Sequence, residues 1–293
     1  MNSSRKTRGG RREGVGPDQC TTNRLQLTFE RLRARGEKAL IAYLMAGDPS
    51  LQETETLVLE MERAGADIIE LGVPFSDPIA DGPIIQQAAD RALRGGTSLR
   101  AILGTVAALR AKTQIPLVLM AYYNTIYAFG LSEFCRAAVT AGVDGLIVPD
   151  LPVEESGPLE AAASIDGPCL IFLLAPTSTP ARRAAVTHHS KGFVYYVSLT
   201  GITGAKLSDV GDVQRNVDRI RQVAKVPVAV GFGIATPEDA ARVAAIADAV
   251  IVGSAIVRQV GEHQHDPGLA PHIARFVGSL KTAMMDTQVA ARA

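Results

Sequence analysis

The chain reads as an α/β protein folded as a single (β/α)8 barrel of the TIM type, with an extra N-terminal helix. Three observations carry that reading. From residue 40 onward, short runs rich in Ile, Val and Leu alternate with amphipathic stretches of helical period. The apolar runs show little polar alternation, which is how parallel strands covered on both faces read. Eight such units in about 250 residues match one closed barrel. A doubly wound open sheet is the alternative, disfavoured because the first unit lacks a G-x-G-x-x-G turn.

The elements follow in order. A helix over 25–35 precedes the first strand and covers the barrel bottom. Strands are predicted over 40–45, 68–71, 116–121, 145–148, 169–174, 193–198, 228–231 and 249–252. Helices are predicted over 50–64, 84–94, 99–112, 131–141, 153–163, 180–188, 211–224 and 237–246. Asp48-Pro49-Ser50 and Thr236-Pro237-Glu238-Asp239 supply capping and first-turn chemistry. Ala64-Gly65-Ala66-Asp67 and Ala141-Gly142-Val143-Asp144 repeat one pattern, a helix stop and a tight return into the next strand.

Composition narrows the class. Of 293 residues, 47% are hydrophobic and 20% charged, with a formal net charge of zero. Such a balance fits a globular protein and argues against whole-surface attraction to nucleic acid or membranes. No apolar run approaches the roughly 20 residues a membrane span needs. Cys20, Cys135 and Cys169 form no C-x-x-C pair, so reduced thiols and a cytoplasmic location are expected. Residues 1–22 are a basic leader, with Arg5, Lys6, Arg8, Arg11 and Arg12 among Ser and Gly. It is expected to be disordered, with 23–293 forming the catalytic barrel domain. No hydrophobic core follows it, as a secretory signal requires, and the amphipathic spacing of a transit peptide is missing.

The candidate chemistry lies at strand ends, where barrels place their active sites. Glu70 ends an apolar run that would ordinarily hold Val or Ile, and Asp81 follows in a loop stiffened by Pro and Gly. A carboxylate buried there loses solvation and tends to a raised pKa, which suits a group that takes and gives a proton. Tyr195 lies in the sixth strand beside Tyr196. Plainer readings stand next to these. Glu70 can pair with a Lys or Arg, Asp81-Gly82-Pro83 can be a simple turn, and Tyr195 can be core. Gly-rich segments at 200–205, 231–234 and 253–256 also fall at strand ends. Glycines there let backbone N–H groups approach an anion, and Ser254 adds a hydroxyl, so a phosphorylated small substrate is expected. His188-His189 and His263-Gln264-His265 lack the spacing of a metal site, and none is expected.

The run Glu-Leu-Gly-Val-Pro-Phe-Ser-Asp-Pro-Ile-Ala-Asp-Gly-Pro at 70–83 resembles the tryptophan synthase alpha family. Supporting pieces are Ala46-Gly47-Asp48-Pro49, Asp150-Leu151-Pro152-Val153-Glu154-Glu155, Gly201-Ile202-Thr203-Gly204, Gly231-Phe232-Gly233-Ile234 and Gly253-Ser254-Ala255-Ile256-Val257. The resemblance runs from about residue 25 onward. It implies a (β/α)8 lyase of tryptophan biosynthesis that cleaves indole-3-glycerol phosphate to indole and glyceraldehyde 3-phosphate. It further implies a beta subunit as partner in an alpha2-beta2 tetramer. That subunit carries pyridoxal phosphate, and no cofactor is implied for this chain.

The resemblance also assigns roles. Glu70 matches the catalytic acid–base, Asp81 the carboxylate at the indole N–H, and Tyr195 the active-site tyrosine. Gly204, Gly233, Gly253 and Ser254 match the phosphate cradle, and Phe232 falls among the substrate-binding residues. Tyr43 stands where the family commonly packs Phe on the indole ring. Thr203 matches a loop residue that contacts Asp81 on closure, and Asp77, Pro78 and Asn124 match positions facing the beta subunit. Leu199 departs from the Arg of some members. The rival readings are a stand-alone lyase with no beta partner, and a non-catalytic activating barrel.

Overall fold

A computed structural model describes residues 23–164, 167–198, 210–231 and 233–290. The basic leader, Leu199, Thr203, Gly204 and Phe232 lie outside the described residues. The chain begins with α1 (Arg24–Arg35), β1 (Ala39–Met45), α2 (Leu51–Arg63), β2 (Ile68–Gly72), α3 (Pro83–Arg94), α4 (Leu99–Arg110) and β3 (Leu117–Met120). It continues through α5 (Tyr123–Phe129), α6 (Leu131–Ala141), β4 (Gly145–Ile147), a 3-10 turn (Val153–Glu155), α7 (Gly157–Ala163), β5 (Cys169–Ile171) and β6 (Leu173–Leu174). Then come α8 (Pro180–His189), β7 (Val194–Val197), α9 (Val210–Arg221), β8 (Val228–Gly231), α10 (Pro237–Ala244), β9 (Ala249–Val252), α11 (Ser254–Glu262) and α12 (Leu269–Ala290). Ser50, Ser98, Thr179 and Thr236 cap their helices by accepting first-turn N–H groups.

Among the described residues nine strands pair in parallel, in the order β5-β4-β3-β2-β1-β9-β8-β7-β6. The predicted fifth strand is two short pieces. β5 pairs with β4 and β6 with β7, so the chain changes partner at Phe172 and the ring of eight strand positions closes there. The sequence reading missed α5, α11 and α12, and took the 3-10 turn and α7 as one helix.

Side chains alternate across the strands. Ile69, Leu71 and Tyr196 pack outward beneath the helices, whereas Ile68, Val118, Ile171 and Tyr195 fill the barrel interior. As expected, α1 covers the bottom: Leu25, Phe29 and Leu32 join the interior cluster, with Phe29 6.1 Å from Phe193 ring to ring.

The repeated Ala-Gly-x-Asp pattern has a second function that spacing alone did not reveal. Gly65 and Gly142 turn the chain at φ 106° and 96°, a left-handed region that favours glycine. The aspartate that follows clamps the start of the preceding strand. Asp67 accepts the Leu40 N–H at 2.8 Å, and Asp144 accepts that of Leu117 at 2.9 Å. Asp248, before β9, does the same for Val228 at 3.0 Å. Each carboxylate also holds a cation: Lys281 on Asp67, Arg110 and Arg24 on Asp144, Arg221 on Asp248. Three similar clamps thus fix strand register at the barrel bottom and leave the top free for chemistry. Asp144→Ala would take the carboxylate from the half-buried Arg110, which keeps its bonds to the Gly142 and Ile115 carbonyls, and a loss of about 2–3 kcal/mol is expected. Denaturant unfolding checks this, with kcat expected to stay at its wild-type value.

Candidate active site

The upper, C-terminal ends of the strands converge on a cleft that is partly open to solvent. Tyr43, Glu70 and Asp81 line it together with Gly233, Gly253 and Ser254, and Gly253 lies directly beside the Tyr43 ring. Tyr195, Met120 and three isoleucines complete it. The structure therefore brings together every described residue the sequence reading placed in catalysis or substrate binding.

Glu70 lies in β2 opposite Tyr43 of β1 and Val118 of β3. Its inward position follows from alternation with Ile69 and Leu71, which face the helices. It is 1% exposed, and neither carboxylate oxygen has a hydrogen-bond partner among the described residues. The pairing with Lys or Arg entertained from the sequence is not formed with any described residue. Burial, with the charge of Asp81 adding to it, pushes its carboxyl up to about 8. The shift favours the neutral form, which is how a carboxyl without a partner among the described residues tolerates this site.

Asp81 is held differently. Burial raises its pKa, and a hydrogen bond from the Tyr122 hydroxyl at 3.0 Å works the other way by favouring the ionised form. Tyr122 was missed in the sequence. Its ring stacks on Phe75 at 5.0 Å, and its hydroxyl accepts the Ala80 N–H at 3.0 Å. One tyrosine thus holds both ends of the loop that carries Asp81. The available signal was the aromatic pair Tyr122-Tyr123 at a strand end.

Two tyrosine hydroxyls lean over glycines at strand ends. A Cβ at Gly72 would lie 2.1 Å from the Tyr43 hydroxyl, and one at Gly231 would lie 2.6 Å from that of Tyr195. Any side chain at either position would drive the ring from the cleft. Burial, then the nearby carboxylates, raise both hydroxyl pKa values well above the usual range. Both groups stay protonated as donors.

Helix α11 opens directly at the end of β9, with Gly253 as N-cap and no capping side chain. The N–H groups of Ser254 and Ala255 precede its first hydrogen bond, which Ile256 donates to the Gly253 carbonyl at 2.9 Å, and Gly253 and Ser254 line the cleft. Helix polarity adds partial positive charge there, which suits a phosphate. Asp77 and Asn124 are exposed and Pro78 is half-buried at the rim. Asp150 accepts the Tyr123 N–H at 2.9 Å and so caps the helix that carries Asn124. Ile79 and Tyr127, also missed, stand 85% and 65% exposed on the same rim. The histidines are engaged otherwise: His189 meets Glu160 and His263 stacks on His272. Among the described residues no three potential metal-ligating side chains converge.

Residues 29–285 match the model of the tryptophan synthase alpha chain family. The chain belongs to this family. The tryptophan synthase alpha chain of Citrifermentans bemidjiense is 51% identical over 263 residues, covering 90% of this chain and 98% of that one. The alpha chain of Nitrosococcus oceani is 47% identical over 268 residues, covering 91% and 99%. Among solved structures, tryptophan synthase subunit alpha from Legionella pneumophila str. Paris superposes with a TM-score of 0.85 at 35% identity, covering 91% of this chain and 100% of that one. A chain of Mycobacterium tuberculosis tryptophan synthase gives 0.82 at 39% identity, covering 89% and 98%. Family membership and the barrel expected from the sequence are thereby established.

Proposed function

We propose that this protein is the lyase subunit of tryptophan synthase, cleaving indole-3-glycerol phosphate to indole and glyceraldehyde 3-phosphate. The observation that carries the reading is a buried Glu70, without a partner among the described residues and with its carboxyl pushed up by burial, in one cleft with a second carboxylate and the glycines of a phosphate cradle. In the resting enzyme Glu70 holds a proton. It delivers that proton to indole C3. Positive charge then develops on the indole nitrogen, and ionised Asp81 stabilises it. The Glu70 carboxylate next accepts the proton of the side-chain hydroxyl while the C–C bond breaks and the aldehyde forms. Two carboxyl groups in different surroundings thus take two roles. Tyr43 packs on the indole ring, and Tyr195 donates toward the glycerol hydroxyls. Gly233, Gly253 and Ser254, with Gly204, grip the phosphate end, so its binding free energy helps to align the scissile bond.

The partner is a tryptophan synthase beta subunit in an alpha2-beta2 assembly, docking on the rim that carries Asp77, Pro78 and Asn124. The exposed Ile79 and Tyr127 supply the apolar and aromatic surface that an interface core uses. Pyridoxal phosphate belongs to that subunit. The assembly is cytoplasmic; no helix among the described residues is long and apolar enough to cross a membrane.

Purified protein mixed with indole-3-glycerol phosphate is expected to release indole, faster when a beta subunit is added. No indole under either condition contradicts the proposal. Tyr122→Phe keeps the stack on Phe75 but loses the hydroxyl that favours ionised Asp81. Its acid limb in a pH profile of kcat/KM is expected to shift to higher pH, with kcat reduced about tenfold. An unmoved limb would remove Tyr122 from the site's electrostatics.

A further inference from the structure

A second set of contacts lies behind the cleft, away from the reacting groups. Asp48, in the turn after β1, is 2% exposed, and both its oxygens are taken by one side chain of α3. Arg91 Nε donates to Oδ1 at 2.8 Å and Nη2 to Oδ2 at 2.7 Å, a planar two-point contact. The same guanidinium lies against α11, where a Cβ at Gly261 would meet Nη2 at 3.0 Å and Cζ at 3.4 Å. The turn itself is fixed by Gly47, at φ +88°, where a Cβ would overlap the Thr97 hydroxyl beyond α3. Ala88, Ala89 and Ala92 of α3 let that helix close on Met45 and Val257.

Both helices end in the cleft. α3 starts two residues after Asp81, and its Gln86 donates to the Asp81 carbonyl at 2.7 Å. α11 starts at Ser254. We infer that Asp48 and Arg91 are positioning residues for the lyase reaction. By tying α3 to the turn after β1, with the guanidinium packed against α11, they set the distance between the carboxylate end and the phosphate end of the cleft. The inference rests on the proposed cleavage and adds to it a spacing function that neither residue performs by touching substrate. A charge alone cannot supply this function, because Lys offers a point charge where Arg offers a planar fork.

The test compares wild type, Arg91→Lys and Gly261→Ala for indole release, glycerol 3-phosphate affinity and Tm. Arg91→Lys is expected to lose about tenfold or more in kcat, the scale of a small misplacement caused far from the chemistry, with glycerol 3-phosphate affinity within about twofold of wild type. Gly261→Ala pushes the guanidinium off α11 while keeping its charge and adding a better helix former. It is expected to hold or raise Tm and still to lower kcat about threefold, a split that a purely structural contact does not produce. Wild-type kcat in Gly261→Ala, whatever becomes of Arg91→Lys, overturns the inference and leaves the cleavage reading intact. No indole from the wild type takes both down.

Discussion

Glu70→Gln is expected to lose at least about a thousandfold in kcat while binding glycerol 3-phosphate normally, because the side chain serves two proton transfers. Gln preserves shape and removes only the exchangeable acid. The proposed phosphate cradle at Gly233, Gly253 and Ser254 is not touched by the change. The same substitution should stabilise the fold in a pH-dependent way. The Glu70 carboxyl moves from an ordinary 4.5 to about 8 on folding. Between those values the folded state keeps a proton that the unfolded state has released, so wild-type stability falls as pH rises. Gln removes that fall. The variant's advantage in Tm should be small near pH 4, grow through the window and level off above about 8. Near-normal cleavage would exclude Glu70 as the proton carrier.

Asp81→Asn is expected to slow cleavage by about a hundredfold or more, the scale of losing one preorganised contact to developing charge. Asn can still accept the Tyr122 hydrogen bond, so the loop should keep its place. The pH profile separates the two effects. Without the Asp81 charge nearby, Glu70 loses one of the two causes of its raised pKa, and the alkaline limb of kcat/KM should move to lower pH. A full rate with an unmoved alkaline limb would make Asp81 a structural residue.

Both carboxylates were legible because each breaks a local rule. Glu70 interrupts an apolar strand, and Asp81 sits in a loop held by Pro and Gly at a strand end. The barrel was legible for the opposite reason, since eight runs obeyed one pattern. What sequence spacing hid were contacts made across the fold. Tyr122 and Asp81 stand far apart in the chain, and their meeting needs β3 placed beside β2. The aspartate clamps needed the same parallel register, which pairs each strand start with the loop before its neighbour. α11 was hidden by its own chemistry, because Gly253-Ser254 reads as a turn and is in fact a helix start. α12 carried a readable signal, with buried Ile273, Val277, Leu280 and Met284 at helical spacing, that was not used. Asp77, Pro78 and Asn124, proposed for docking, are of another kind, since a single chain imposes on a docking residue only that it reach the surface.

The central claim is that Glu70 rests as a neutral acid inside the cleft. Difference infrared spectra of wild type against Glu70→Gln, followed from pH 5 to pH 9.5, read that carboxyl directly. A protonated C=O band present at pH 6.5 and lost with a midpoint near 8 is the expected result. A carboxylate already ionised at pH 6.5, titrating in the ordinary range near 4.5, would contradict it.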